Sequence, residues 1–152
     1  MRIAFGADHA GFELKAVLAR RAAELGHEVI DLGTDSTASV DYPDFGFAVG
    51  CAVASGRADC GVVVCGSGIG ISIAANRVIG ARAGVATDVF SAQLMREHND
   101  ANVLGLGARL TAVPLAMAIL ETFLQTPFAG GRHQRRVNKL DAPPPCAEGD
   151  PR

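Results

Sequence analysis

The segment CGSGIGISIAAN opens on Cys65, which ends an apolar run, and continues with glycines at every second position: Gly66, Gly68 and Gly70. A cysteine accepts protons only as the thiolate, and a nearby helix N-terminus favours that form. Glycines at such a place let an anion approach the backbone N–H groups closely. The residue types therefore suit a proton-accepting thiolate beside an anion hole. A packing cysteine followed by a plain tight turn is the simpler reading, and the loop alone does not decide. Three familiar loops are excluded. No lysine follows, as the phosphate loop GxxxxGK[ST] requires, and Ile71 stands where the dinucleotide fingerprint GxGxxG needs its third glycine. Cys65 and Ile69 flank Ser67 where the hydrolase elbow GxSxG needs glycines.

Other reactive side chains cluster in short polar segments. Asp8 and His9 lie in GADHAG, and Tyr42 lies in DYPD between Asp41 and Asp44. The pair Asp8-His9 serves equally as a helix cap with a surface histidine or as a substrate contact. His98 and Asn99 lie in HND, Arg109 in GLGARL, and Arg132 and Arg136 in GGRHQRRV. Four residues apart, Arg132 and Arg136 share one face if the segment is helical. That face is a solvated basic patch or a clamp for a phosphate monoester. His27 reads as turn chemistry.

The elements that must position these groups follow from periodicity. With 152 residues, 49% hydrophobic, 18 glycines and no tryptophan, the chain fits one domain with its own core. Strands are expected over 2–7, 28–32, 60–65, 81–86 and 102–106. Helices are expected between them, over about 10–26, 45–55, 69–78, 88–97 and 113–124, with a short last helix in the segment from Phe128 to Asp141. Strict alternation implies an α/β fold: a single doubly wound, Rossmann-like, five-stranded parallel sheet with helices on both faces. The domain is expected to span 1–140, with a disordered, proline-rich tail over 141–152.

A formal net charge of −2 supplies no field that would draw nucleic acid or a membrane surface. No apolar run reaches the length of a membrane span, and with no charged start followed by a long apolar stretch in MRIAFGADHAGF a signal peptide is not expected. Cys51, Cys60, Cys65 and Cys146 have no regular spacing, which points to free thiols in a cytoplasmic protein, each by default a small buried hydrophobe.

Together GADHAG, DLGT, DYPD, CGSGIGISIAAN, HNDANVL, the arginine of GLGARL and GGRHQRRV give the chain a resemblance that runs from Ile3 to about Val137. It resembles the ribose-5-phosphate isomerase B family, which includes galactose-6-phosphate isomerase subunits. The resemblance implies an aldose–ketose isomerase without metal or cofactor, interconverting ribose 5-phosphate and ribulose 5-phosphate through an enediolate. It assigns Cys65 as base, His98 as the acid for ring opening, and the loop Gly66, Ser67, Gly68, Ile69 and Gly70 as anion hole. Ser67 has a hydroxyl suited to relaying a proton between O1 and O2. Asp8, His9, Tyr42, Asn99, Arg109, Arg132 and Arg136 become substrate contacts. Some members carry a glutamate base just after the loop; here that position is Ile71, so the chain is of the cysteine type.

His98 ends a helix and precedes a strand, which puts it at the sheet edge opposite the glycine loop, a strand length of roughly 17–20 Å away. His98 and Asn99 are therefore expected to reach a neighbouring subunit's loop, in a homodimer or a dimer of dimers. Three alternatives remain: another sugar phosphate (a hexose 6-phosphate such as allose or galactose 6-phosphate, or a tetrose phosphate), a cysteine hydrolase using Cys65 and His98, or a non-catalytic sugar-phosphate sensor.

Overall fold

The run Cys60–Cys65 is apolar throughout because its strand, β3, lies mid-sheet and is covered on both faces; all six residues are buried. The computed structural model describes residues 1–143. It places β3 in a five-stranded sheet of order β2-β1-β3-β5-β4 with parallel pairing throughout. The remaining strands are β1 (Arg2–Ala7), β2 (Glu28–Asp31), β4 (Ala83–Val85) and β5 (Val103–Gly107). The helices are α1 (Phe12–Glu24), α2 (Tyr42–Ala54), α3 (Ile69–Ala75), α4 (Val89–Asn99), α5 (Val113–Gln125) and α6 (Gln134–Asp141), the last preceded by a 3-10 turn at Gly131–His133.

Alternation along the strands divides the core between two faces. Val62 and Val64 of β3 join Phe5, Leu18, Ile119 and Leu120 on the side of α1, α4 and α5. Val63 and Cys65 join Ala4, Val49, Ile71 and Ala75 on the side of α2 and α3. Each fully buried Leu, Ile or Phe contributes roughly 1.5–3 kcal/mol. The expected doubly wound sheet is therefore the observed one. From β1 the chain steps outward to β2, then returns to place β3 on the other flank of β1. The crevice at the carboxyl ends of β1 and β3 is thus a topological switch point, where ligands of open α/β sheets bind.

Several boundaries differ from the sequence expectation. Helix α2 starts at Tyr42, not Phe45: Asp41 is extended and Pro43 lies in the first turn, where its missing N–H costs nothing. Helix α3 stops at Ala75 because Asn76 turns to β4, donating from Nδ2 to Ala83 O (2.8 Å) and accepting Ala83 N–H at Oδ1 (2.7 Å). This amide takes the place of a neighbouring strand, and β4 has three residues where six were expected. Helix α4 begins at Val89, one residue later than expected, because Asp88 is its cap, in a capping box with Ser91. Cys51 is exposed on α2, contrary to the packing role expected of it, whereas Cys60 and Cys65 are buried. Asp141, where the expected last helix and the expected tail meet, closes α6 and pairs with Arg82. Cys146 and most of the expected tail lie outside the described residues. No helix among the described residues is long and apolar enough to cross a membrane.

Candidate active site

Cys65 leaves β3 at the switch point with its thiol on the α2/α3 side, 5% exposed. Its Sγ accepts the Gly68 N–H at 3.2 Å. That donor is aimed by a left-handed turn: Gly68 has φ +78°, and a Cβ there would lie 2.8 Å from the Leu106 carbonyl carbon and 3.0 Å from Gly107 N. Conformation and space both demand glycine. The next donor, Ile69 N–H, meets Ser67 Oγ at 3.3 Å.

Three neighbouring segments complete the wall. The β5–α5 turn is clipped to the loop by Ala108 N–H on Cys65 O (2.9 Å) and Arg109 N–H on Gly66 O (3.0 Å). The Arg109 guanidinium then lies over Gly66, 3.4 Å from where a Cβ would sit. The Tyr42 ring lies against Gly70, where a Cβ would come within 2.7 Å of it. After β1, Asp8 is nearly buried, and its Oδ1 accepts Ala10 and Gly11 N–H, each at 3.0 Å. These groups, with Leu110, line a cleft of about 520 Å³. Asp8 thus closes an Asx turn and also faces the cleft. His9, beside it, accepts Val40 N–H at Nδ1 (3.2 Å), which leaves Nε2 to carry the ring proton.

The remaining candidates gather at the other edge of the sheet. His98 and Asn99 occupy the last turn of α4, whose eleven residues span roughly 16 Å. Asn99 lines a second cleft, of about 420 Å³, with Asn76, Arg82, Met95 and Leu140. Arg132 stands in the 3-10 turn and Arg136 in α6, both exposed. The structure thus brings Asp8, Tyr42, Cys65, Gly66, Ser67, Ile69, Gly70 and Arg109 to one cleft, with Gly68 beneath it. It leaves His98, Asn99, Arg132 and Arg136 as a separate group.

Two features of that second group lie beyond the sequence reading. His133 stacks on His98 with ring centroids 4.4 Å apart and planes 8° from parallel. Burial, and then the neighbouring His98, Arg132 and Arg136 charges, hold the His133 imidazolium below the usual histidine range. Its inward face was legible as the stripe His133, Val137, one residue on from Arg132 and Arg136. The corner after His98 is also constrained: Asp100 adopts φ 44°, and its carboxylate bridges Arg82 (2.9 Å) and Arg96 (3.0 Å).

Known proteins resemble the chain over nearly its whole described length. A family model described as ribose/galactose isomerase matches residues 3–140. Ribose-5-phosphate isomerase B of Escherichia coli is 48% identical over 141 residues, covering 93% of this chain and 95% of the relative. The solved ribose-5-phosphate isomerase B of Clostridium thermocellum superposes with a TM-score of 0.92 at 52% identity, over 93% of this chain and 95% of that one. The Mycoplasma genitalium ribose-5-phosphate isomerase B, solved with bound ribulose 5-phosphate, gives a TM-score of 0.89 at 37% identity, over 92% and 93% of the two chains. With the Cys65 thiol, glycine loop and arginine at one switch point, and a match spanning nearly the whole described chain, this protein belongs to the ribose/galactose isomerase family.

Proposed function

We propose that the chain interconverts D-ribose 5-phosphate and D-ribulose 5-phosphate, with Cys65 as the base. The observation that carries this is the Cys65 thiol at the switch point, in contact with the Gly68 N–H and faced across Gly66 by Arg109. The names of the relatives support the same substrate pair.

In the forward direction the Cys65 thiolate takes the proton from C2 of the open-chain aldose, and the electron pair moves through C1–C2 onto O1. The enediolate oxygens meet N–H donors of the Gly66–Gly70 loop. Losing one such donor costs roughly 2.7–4 kcal/mol in comparable sites. Ser67 carries the hydroxyl proton from O2 to O1, and the Cys65 thiol returns its proton to C1, giving the ketose. Each step is a proton transfer, so the chemistry asks for a base, an acid and donors to an oxyanion. His98 is the acid for ring opening, and Arg132 and Arg136 hold the phosphate. Asp8, His9, Tyr42 and Asn99 orient the sugar chain.

Within one chain, α4 carries His98 roughly 16 Å from the sheet edge at which Cys65 lies, too far for the two to serve one substrate atom. We therefore place the His98 edge of one protomer on the Cys65 cleft of another, as a homodimer. Ile69 and Ile73, four apart on α3 beside the loop and 55% and 57% exposed, offer an apolar seat for that contact.

The test is turnover of ribose 5-phosphate without added metal, by wild type and by Cys65→Ala. Turnover that is lost in the variant, while substrate binding persists, is the expected result. Absent turnover in wild type with intact binding would move the assignment to another sugar phosphate or to a sensor.

A further inference from the structure

We propose that Ser72, which does not face the substrate cleft, is a positioning residue that aims the glycine loop through its peptide bonds. The inference rests on reading that loop as the anion hole. Ser72 is 4% exposed, one turn into α3, and its hydroxyl donates to Gly68 O at 2.7 Å. The Gly68 carbonyl and the Ile69 N–H are opposite ends of one planar trans peptide, so they point in opposite directions. Drawing the carbonyl down into the core therefore aims the N–H up at the cleft. There Ser67 Oγ accepts it at 3.3 Å. On the other side of Gly68, its own N–H meets Cys65 Sγ at 3.2 Å.

The bonds form a series: Ser72 O–H to the Gly68–Ile69 peptide, and that peptide to Ser67. Hydrogen bonds in series polarise one another. With one lone pair of Ser67 Oγ engaged by Ile69 N–H, the hydroxyl is held in place and its own proton is free to move. A buried group that touches no substrate thus sets the position of the proposed proton relay and of the donor to the base.

Two costs in the core converge on this hydroxyl. Helical serines often satisfy themselves on the carbonyl four residues back, which by itself implies no function. Here, however, an alanine would fill the same apolar site with no polar group to bury. Interior strand β5 also carries glycine at position 105, where a Cβ would overlap Ser72 Oγ. A glycine inside a strand weakens it. The sheet has given up a side chain to seat one hydroxyl against Gly68.

The experiment compares Ser72→Ala, Gly105→Ala and the double variant. Ser72→Ala should lower kcat roughly tenfold, less than the 10²–10³ of deleting an oxyanion donor outright, with KM changed by no more than about twofold. Gly105→Ala should reproduce the kcat loss by displacing the hydroxyl, and should also lower Tm. In the double variant the new Cβ occupies the space left by Oγ, so Tm returns to that of Ser72→Ala and kcat falls no further. A Ser72→Ala kcat within about twofold of wild type, or losses that multiply in the double variant, would overturn the proposal. Alkylation of Cys65 by iodoacetamide, followed by peptide mass, needs neither turnover nor a folded Gly105→Ala. Several-fold slower modification in folded Ser72→Ala is expected, and an unchanged rate overturns the proposal. If wild type fails to isomerise ribose 5-phosphate, the functional reading falls and the alkylation arm still judges Ser72.

Discussion

Mixing two inactive variants gives the sharpest test of a shared site. Cys65→Ala removes the proposed base at the carboxyl edge of the sheet, and His98→Ala removes the proposed acid at the end of α4. The eleven residues of α4 carry His98 roughly 16 Å from the edge where the helix begins, whereas an acid must come within about 3 Å of the atom it serves. In a two-fold dimer each site takes its base from one protomer and its acid from the other. A hybrid of the two variants then holds one site with both defects and one site with none. Random exchange makes about half of the dimers hybrids, each with one intact site of two, so the mixture should recover about a quarter of wild-type activity.

The background is low, because losing a general acid or base costs roughly 10²–10⁴ in rate. Each parent alone should therefore retain at most about one hundredth of wild-type turnover, and recovery to a quarter stands well clear of it. The assay is ketose formation from ribose 5-phosphate before and after exchange, with differently tagged chains and hybrid dimers isolated by both tags. Isolated hybrids that remain inactive would refute the shared site, since a site built within one chain leaves every site of the hybrid with one defect. Activity of a monomeric species at assay concentration would refute it equally.

Two further perturbations bear on stability. Lys15 is buried, with its Nζ on both oxygens of Asp31 (2.7 Å each) and on Thr34 O (3.0 Å), so Lys15→Met should cost about 1–3 kcal/mol and lower Tm by roughly 2–10 °C. Thermal unfolding measures the loss, and Lys15→Arg should retain part of the stability. His133 is held below the ordinary histidine range near 6.5, first by burial and then by His98, Arg132 and Arg136, so the unfolded chain binds a proton that the folded chain refuses. Its contribution is complete above that ordinary value and is lost as pH falls through the folded one. Tm should therefore fall between pH 7 and pH 5 in wild type and fall less steeply in His133→Gln, and equal slopes would remove His133 from the account.

The sheet was legible because its central strand needs only apolarity and length: CGVVVC is covered on both faces, and the helices between strands carry the 3.6-residue period. Boundaries were less legible where a side chain replaced backbone pairing. Asn76 ends α3 by pairing with Ala83, and no local pattern distinguishes such an asparagine from a helical one. Tyr42 and Pro43 read as loop because DYPD is polar, although proline in a first turn is also a helix start. The cleft side of the site followed from topology, since Cys65 ends its strand and Asp8 and Arg109 follow the two neighbouring strands within two residues. Ser72 and His133 were hidden for a different reason. Each acts on a residue that the motif names, Gly68 in one case and His98 in the other, and a sequence shows such support only as a small polar residue on a buried stripe.

The same packing bears on the two base positions that the family resemblance implies, one ending the strand and one just after the loop. Position 65 ends β3 and position 71 lies in the first turn of α3, yet Cys65 and Ile71 belong to one buried cluster under the loop. A short side chain from the strand and a longer one from the helix therefore start from the same patch of core, on either side of the left-handed Gly68. Here Ile71 is fully buried and fills that patch with hydrocarbon. The polar work then falls to the strand, and only the strand position also receives the Gly68 N–H at its Sγ. The glycine turn thus does two things at once: it donates to the thiol proposed to take the proton, and its next peptide, held from below by Ser72, steadies the hydroxyl proposed to move one between the oxygens.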